Sequence, residues 1–201
     1  MDVEVRRLGL VEYRAAWDLQ RELAKDVRPD RGILLLLEHP PVFTLGRNGK
    51  ASNVLDAGGI PVVRVDRGGD VTYHGPGQLV GYPLLDVRRI GVRRFVEGLE
   101  GSLVDCLAAL GVAARRKPGC VGVWTAKGKI ASIGVRVSRG ISTHGFALNV
   151  SNDLAPFARI HPCGQPGCAV TSVSAELGRA VTPSEAADRF RLRFGRGVIK
   201  S

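Results

Sequence analysis

The sequence lacks the features that mark membrane and secreted proteins. Uninterrupted apolar runs reach only five residues, as at Ile33–Leu37, whereas a helix that spans a bilayer needs roughly 20. The N-terminal segment MDVEVRRLGLVEYR has no apolar stretch of the kind that a signal peptide carries. These absences predict a cytoplasmic protein that is neither secreted nor inserted into a membrane.

Paired cysteines and aromatic residues are scarce as well. The four cysteines include no C-x-x-C pair, which favours free thiols in a reducing compartment over a disulfide framework. Aromatic residues make up 5% of the 201 residues, and no RNP-like aromatic strand, zinc finger or basic helix is present. The formal net charge of +10 indicates acidic partners, and acidic proteins are an open alternative to nucleic acid.

What the sequence does contain is a series of short apolar runs separated by turn signals. Strands are predicted at residues 3–8, 33–37, 42–45, 60–65, 71–74, 79–85, 121–125, 129–137 and 142–150, and helices at residues 11–26, at 93–110 and from Thr182 onwards. Because 44% of the residues are apolar and no linker or repeat divides the chain, we expect one domain over residues 1–201. Its fold class should be α+β, with a largely antiparallel or mixed central sheet flanked by helices.

Three segments combine glycine with functional side chains, at residues 67–86, 128–150 and 160–173. Each is a candidate wall of a site, although turn geometry alone would also explain the glycines. The pair Gly68-Gly69 is not a nucleotide-binding loop, because neither a G-x-x-x-x-G-K-[ST] pattern nor a glycine-rich turn leading into a long helix is present.

Cys163 is a candidate nucleophile. Pro162-Cys163-Gly164 predicts a thiol held in a turn, whereas Cys106 falls within a predicted helix as a small core residue. The backbone N–H groups near Gly164 could face an oxyanion, because glycine lets a substrate approach the chain closely. A purely structural role for Cys163 is the alternative.

A zinc site is a competing interpretation of the same segment. It would combine His161, Cys163 and Cys168 with His74 or His144, whereas zinc sites usually show paired C-x-x-C or H-x-x-x-H ligands. We therefore expect no metal. His74 and His144 each precede a glycine, and as single histidines they are expected to line a site or to hold the framework.

Four motifs follow one another along the chain: R-G-G-x-V-T-Y-H-G-P-G-Q at 67–78, K-I-x-S-x-G at 129–134, H-G-x-A-L-N at 144–149 and P-C-G at 162–164. In this order they resemble the bacterial octanoyltransferases, the lipoyl(octanoyl) transferase or lipoate-protein ligase B family, and the resemblance covers roughly residues 34–173. It implies a fold shared with lipoate and biotin ligases. It also implies a cytoplasmic acyltransferase of lipoate biosynthesis that needs no cofactor and has no nucleic-acid or membrane partner.

The donor implied by the resemblance is octanoyl-acyl carrier protein. The implied acceptor is a specific lysine of lipoyl domains, in 2-oxoacid dehydrogenases and in the H protein of glycine cleavage. Cys163 matches the family's acyl-thioester nucleophile, and Lys129 matches the lysine that lowers its pKa. The substrate-binding residues implied by the motifs are Arg67, Gly68, Gly69, Asp70, Val71, Thr72, Tyr73, His74, Ser132, Ile133, Gly134, Gly145, Phe146 and Ala147. A second thiol at Cys168 departs from the pattern, but only Cys163 lies in a P-C-G context.

Two other functions are alternatives. An ATP-dependent lipoate or biotin ligase would share the fold, although the GRGRxG-like adenylate loop of a biotin ligase is not provided by Arg67-Gly68-Gly69-Asp70. A non-catalytic domain that binds lipoylated proteins would not need Cys163 or Lys129. For Lys129, the alternative is a structural role as an exposed lysine at a sheet edge, where its charge would hinder aggregation.

Overall fold

The computed structural model describes residues 1–198, apart from the side chains of Cys163 and of residues 195–198. The strands within these residues are β1 (Asp2–Leu10), β2 (Arg31–Glu38), β3 (Val42–Leu45), β4 (Val62–Arg64), β5 (Val71–His74), β6 (Gln78–Leu84), β7 (Arg115–Lys117), β8 (Cys120–Trp124), β9 (Lys129–Ser138) and β10 (Ile141–Asn149). The α-helices are α1 (Tyr13–Leu23), α2 (Gly91–Leu110), α3 (Val173–Leu177) and α4 (Pro183–Val198). The α+β class is confirmed.

The described strands form two sheets. The larger sheet has the order β1-β2-β6-β10-β9-β8-β7, and the smaller sheet has the order β4-β3-β5. In the larger sheet β1 and β2 run parallel and are joined through α1, and the other neighbours are antiparallel. The expectation of a largely antiparallel, mixed sheet is therefore confirmed, whereas the separate small sheet and the β1–α1–β2 crossover were not predicted.

Strand β2 is buried on both faces, as its continuous apolar run predicts. Leu34 and Leu36 belong to the core beneath α2 and α4, while Ile33, Leu35 and Leu37 belong to the core beneath α1. The sheet thus lies between two helical layers. A pattern that is apolar at every position cannot show which strand pairs with which, and this is why the crossover could not be predicted.

Helix α2 covers one face of the larger sheet with a stripe of Phe95, Leu99, Leu103 and Leu107. The sequence periodicity places Val96 in this stripe, but Val96 is only half-buried and Phe95 takes the core position. The helix ends at Gly111 with φ at +90°, a left-handed conformation that favours glycine.

Helix α4 begins as predicted at Pro183, with Thr182 as its N-cap. The backbone N–H of Glu185 donates to Thr182 Oγ1 at 3.1 Å. The sequence T-P-S-E at 182–185 predicts a reciprocal capping pair between Thr182 and Glu185, but the Glu185 carboxylate lies instead 3.4 Å from Arg179 Nη2. Among the helices of residues 1–198, none combines the length and apolar character required to cross a bilayer.

Candidate active site

A narrow pocket opens between the segment that leads into β5 and the β9–β10 hairpin. Its cavity volume is about 50 Å³, several times the ~10–15 Å³ that one water needs. All of the predicted substrate-binding residues except Gly68 and Tyr73 line it, together with Tyr13, Tyr82 and His144. The three motifs at 67–78, 129–134 and 144–149 therefore meet at one place.

The wall formed by β9 and β10 consists of small residues. Ser132 pairs with Ala147, and Gly134 pairs with Gly145. Directly paired residues of antiparallel strands share a face of the sheet, so these four residues form one shallow surface. The spacing of two in S-x-G and G-x-A is the sequence signal of this face. Phe146 borders the pocket too, although its ring packs 4.4 Å from the ring of Phe190 on α4.

Tyr73 and Gly68 contribute to the framework around the pocket. The ring of Tyr73 packs against Phe43 and Phe157, at centroid distances of 5.6 and 5.5 Å, because alternation along β5 turns it away from the pocket. Gly68 donates its N–H to the carbonyl of Val135 at 2.9 Å. A Cβ on Gly134 would lie 2.8 Å from the Gly68 oxygen, so glycine at position 134 lets this loop close over the strand.

The pocket has two ends that the strand register defines. Along β9 and β10, the pairs run from Ser132–Ala147 to Val135–His144, and Ser132 is the nearer of these to Lys129 at the start of β9. Of the segment at β5, Asp70, Val71, Thr72 and His74 line the pocket. We call the end at Ser132 and Ala147 the near end and the end at Val135 and His144 the far end.

A buried polar group closes the far end. This far-end cluster consists of Tyr13, His39, His74, Tyr82 and His144, all buried. It gathers three of the four histidines and two of the three tyrosines of the sequence. Of these, only His74 was among the predicted binding residues. Histidine and tyrosine are rare in this sequence, and that rarity was the signal that could have drawn attention to these residues. Nothing in the sequence shows that the five residues come together in the fold.

Hydrogen bonds to fixed acceptors determine the proton positions on His144 and on Tyr13. Burial lowers the pKa of His144, so the ring is neutral at pH 7 and donates from Nε2 to Asp66 Oδ1 at 2.7 Å. Its Nδ1 then accepts from the Tyr13 hydroxyl at 3.4 Å. Burial also raises the pKa of Tyr13 to about 12, which keeps the phenol protonated. The backbone of His144 has φ at +56°, a conformation that favours glycine, and Gln20 Oε1 accepts its N–H at 2.7 Å.

His39 and His74 are neutral for the same reason. Burial lowers the pKa of His39 to about 4; its Nδ1 donates to the carbonyl of Val11 at 2.6 Å, and Nε2 accepts from Tyr82 at 2.7 Å. Burial holds the pKa of His74 well below its usual value, and its Nδ1 donates to Gln78 Oε1 at 2.8 Å. The far end is thus a hydrogen-bonded group without a histidine charge at neutral pH.

The turn that contains Cys163 lies beside the pocket. Pro162–Gly164 forms a single 3-10 turn, as the P-C-G motif predicts, and the side chain of Cys163 itself lies outside the described part of the chain. A Cβ on Gly164 would lie 2.8 Å from Asp70 Oδ2, and Gly164 has φ at +70°. Asn53 Nδ2 donates to the same Asp70 oxygen at 2.7 Å. Asp70 therefore connects the pocket to the turn.

Lys129 is buried rather than exposed at a sheet edge. Lys129 is only 3% exposed, and its Nζ donates to the carbonyl of Val121 at 3.0 Å. The amine also lies 5.3 Å from the centre of the Trp124 ring. A Cβ on Gly122 would lie 2.6 Å from Lys129 Cε, so glycine at position 122 leaves the space that this side chain fills. A lysine that prevents a sheet edge from pairing with another strand must be exposed. The alternative that Lys129 is an exposed lysine at a sheet edge is therefore wrong.

The backbone of Lys129 is bonded to the segment that follows Cys163. Its N–H donates to Ala169 O at 2.9 Å, and its carbonyl accepts from the Thr171 N–H at 3.0 Å. Cys168 is half-buried in this segment. Lys129 and the Cys163 turn are therefore held in one continuous structure.

Of the remaining thiols, Cys106 lies in the core, whereas Cys120 Sγ lies 4.0 Å from Gln165 Nε2 in the segment after Cys163. Cys106 is a fully buried free thiol whose pKa burial raises to about 12, as expected of a core residue, and Cys120 is also a free thiol. Among the side chains that the structure describes, no group of three or more His, Cys, Asp or Glu residues is placed to hold a metal ion.

Fold and site together point to the class of lipoyl protein ligases. The family model of the lipoyl protein ligase A/B catalytic domain matches residues 12–195. A solved lipoate-protein ligase A bound with ATP has a TM-score of 0.83 and 18% identity, covering 98% of this chain and 86% of that one. A bi-partite lipoate protein ligase from Thermoplasma acidophilum has a TM-score of 0.76 and 20% identity, covering 98% and 84%. At these identities the likeness concerns the fold alone.

A much more similar relative specifies the family within this class. An octanoyltransferase from Geobacter metallireducens is 55% identical over 181 residues, which cover 88% of this chain and 84% of the relative. The chain belongs to the octanoyltransferase family and is an acyltransferase of protein lipoylation. The resemblance carried by the four motifs is confirmed at the level of family and fold.

Proposed function

We propose that the protein moves an octanoyl group from octanoyl-acyl carrier protein to a specific lysine of a lipoyl domain, through a thioester on Cys163. The observation that carries this proposal is the burial of Lys129 and its two backbone hydrogen bonds to the segment after Cys163. We propose that the Lys129 ammonium faces the thiol of the Cys163 turn, because a positive charge close to a thiol favours the thiolate.

The first half-reaction is a thioester exchange. The Cys163 thiolate attacks the donor's carbonyl carbon, a new sulfur–carbon bond forms, and the carrier leaves as a thiolate that takes up a proton. The exchange is nearly isoenergetic and keeps the acyl group activated, so no ATP is needed. Serine in place of Cys163 would give an oxygen ester, which reacts less readily with an amine.

The second half-reaction is aminolysis. The amine of the acceptor lysine attacks the Cys163 thioester, an amide bond forms, and the Cys163 thiolate leaves. The proton lost by the attacking amine passes to Lys129 once Lys129 is deprotonated. The narrow pocket holds the octanoyl chain with its carbonyl at the near end, and its twelve predicted lining residues bind the substrate. An enclosed pocket also keeps water from the thioester.

The proposed partners are acidic proteins. The solved Thermoplasma acidophilum ligase is described with its E2 lipoyl domain, which supports lipoyl domains as acceptors here. The net charge of +10 fits attraction of acidic carriers and acceptors. We propose that residues 1–201 act as one catalytic domain in the cytoplasm, without a cofactor.

Intact-mass measurement after incubation with octanoyl-acyl carrier protein tests the mechanism. We expect one octanoyl adduct that is stable to acid and removed by hydroxylamine. Cys163→Ala should abolish the adduct and the transfer, whereas the matched control Cys168→Ala should keep most of both. An adduct that persists in Cys163→Ala but disappears in Cys168→Ala would move the nucleophile to Cys168.

An ATP-dependent ligase is the second candidate, because a ligase with bound ATP has the same fold. Incubation with ATP and free octanoate distinguishes the two. We expect no octanoyl-adenylate and no acylated lipoyl domain under these conditions. Formation of either product would favour the ligase.

A further inference from the structure

The mechanism proposed above gives no specific role to the members of the far-end cluster other than His74, which is among the substrate-binding residues. We propose that Tyr13 is the stop that determines which acyl chain length the pocket accepts. This inference rests on the proposed function, in which the pocket holds the acyl chain with its carbonyl at the near end.

The stretch of β9 that runs along the pocket is about as long as an eight-carbon chain. From Ser132 to Val135, the strand β9 advances three residues, which is about 10 Å at the ~3.3 Å rise of a strand. An extended octanoyl chain has seven carbon–carbon bonds of about 1.5 Å, each advancing about 1.25 Å, which gives roughly 9 Å. The methyl end of such a chain would therefore reach the level of His144 and Tyr13.

Tyr13 is held too firmly to move aside for a longer chain. It is 3% exposed, and its ring packs against those of His39 and His74, at centroid distances of 4.9 and 5.7 Å. Its hydroxyl is bonded to His144, which Asp66 holds in turn. Val63 and Val42 pack in the same cluster as the Tyr13 ring. Tyr13, the first residue of α1, is thus held by its ring contacts, by its hydroxyl and by the surrounding valines.

The polarity of the far end penalises additional methylenes. Each CH₂ that leaves water for an apolar wall, such as Ala147 provides, gains about fourfold in binding. A ninth or tenth carbon would instead meet a phenol that is already hydrogen-bonded. Displacing the phenol would leave His144 Nδ1 buried without its partner, which costs more than the added CH₂ gains.

Competition between donors of different length tests the inference. The parent protein and its variants receive equal amounts of octanoyl-, decanoyl- and dodecanoyl-acyl carrier protein with a lipoyl domain, and the acyl products are counted by mass spectrometry. Tyr13→Leu should raise the decanoyl-to-octanoyl product ratio about tenfold or more, since two additional CH₂ groups at about fourfold each can be buried. Tyr13→Phe keeps the ring and should keep the ratio within about threefold of the parent.

Phe43→Leu is the matched control, because it also removes a buried aromatic ring but does not line the pocket. It should leave the product ratio at the parent value. If thermal melting shows that Tyr13→Leu does not fold, Tyr13→Met, whose unbranched side chain adapts to irregular space, takes its place with the same expected direction.

Two negative outcomes are distinguishable. A folded Tyr13→Leu or Tyr13→Met that makes octanoyl product at the parent's ratio overturns the inference alone. A parent protein that makes no acyl product from any of the three donors overturns the proposed function, and the inference with it.

Discussion

We expect acid to destabilise the fold through the buried histidines of the far-end cluster, well before carboxylates are protonated. His39 has its pKa lowered by burial to about 4, and the pKa values of His74 and His144 are lowered in the same direction. In the unfolded chain a histidine titrates near 6.5. As the pH falls below that value, the unfolded state binds protons that the native state does not.

The magnitude follows from the pKa of His39. Its contribution to stability is fully present above about pH 6.5 and is lost as the pH falls towards about 4, roughly 3 kcal/mol in all. By pH 5, about 2 kcal/mol of the free energy of unfolding is gone, and His74 and His144 add to this loss. The lowered pKa of Asp66 has its effect only below about pH 4, outside this range.

Urea unfolding followed by tryptophan fluorescence at pH 8, 7, 6 and 5 measures the effect. The parent should lose at least about 2 kcal/mol between pH 7 and 5, and His39→Gln should be less stable at pH 7 but lose about 2 kcal/mol less over that range. General charge repulsion in acid is common to both proteins, so the difference isolates His39. Equal pH dependence in parent and variant, or a parent that gains stability towards pH 5, would refute the reasoning.

Further predictions concern Lys129 and the net charge. Lys129→Met should stay folded but alkylate slowly, with the pKa of the Cys163 thiol raised towards its free value of about 8.5, whereas the exposed-lysine control Lys127→Met should alkylate like the parent. Lys129→Arg keeps the charge but does not readily release a proton. It should therefore retain part of the fast alkylation and lose most transfer to the lipoyl domain. If both Lys129 variants transfer octanoyl at the parent rate, Lys129 has no part in the mechanism. The second-order rate with acyl carrier protein should fall as salt rises through about 0.1–0.5 M, and a rate independent of salt would contradict electrostatic attraction.

Much of the site was predictable because its segments carry local signals. Ser132, Gly134, Gly145 and Ala147 were assigned to the site through the resemblance of their motifs to the family, and their spacing of two within predicted strands agrees with the shared face on which the structure places them. The strand limits of β5 are also those predicted, because turn residues bound it on both sides.

The far-end cluster was not predictable because its members come from distant parts of the chain. Tyr13 opens α1, His39 follows β2, and Tyr82 lies within β6, where the alternation gives no reason to single it out. Only the β1–α1–β2 crossover brings Tyr13 over the sheet. A strand, a helix and an all-apolar strand in this order are typical of a parallel pair, but they do not show that the first residue of the helix reaches the pocket. Convergence of this kind is a property of topology rather than of local sequence.

The anchoring of the segment after Cys163 has a consequence for how its sequence can vary. Lys129 holds this segment through the carbonyl of Ala169 and the N–H of Thr171, and every residue except proline supplies both of these groups. The anchor therefore does not depend on side-chain identity, and Gln165, Pro166 and Gly167 between turn and anchor are exposed. Substitutions at Gln165 can therefore accumulate without breaking the anchor, whereas Gly167, with φ at +71°, favours glycine. A change of side chain at position 168, such as the one that gives Cys168, leaves both anchoring groups in place.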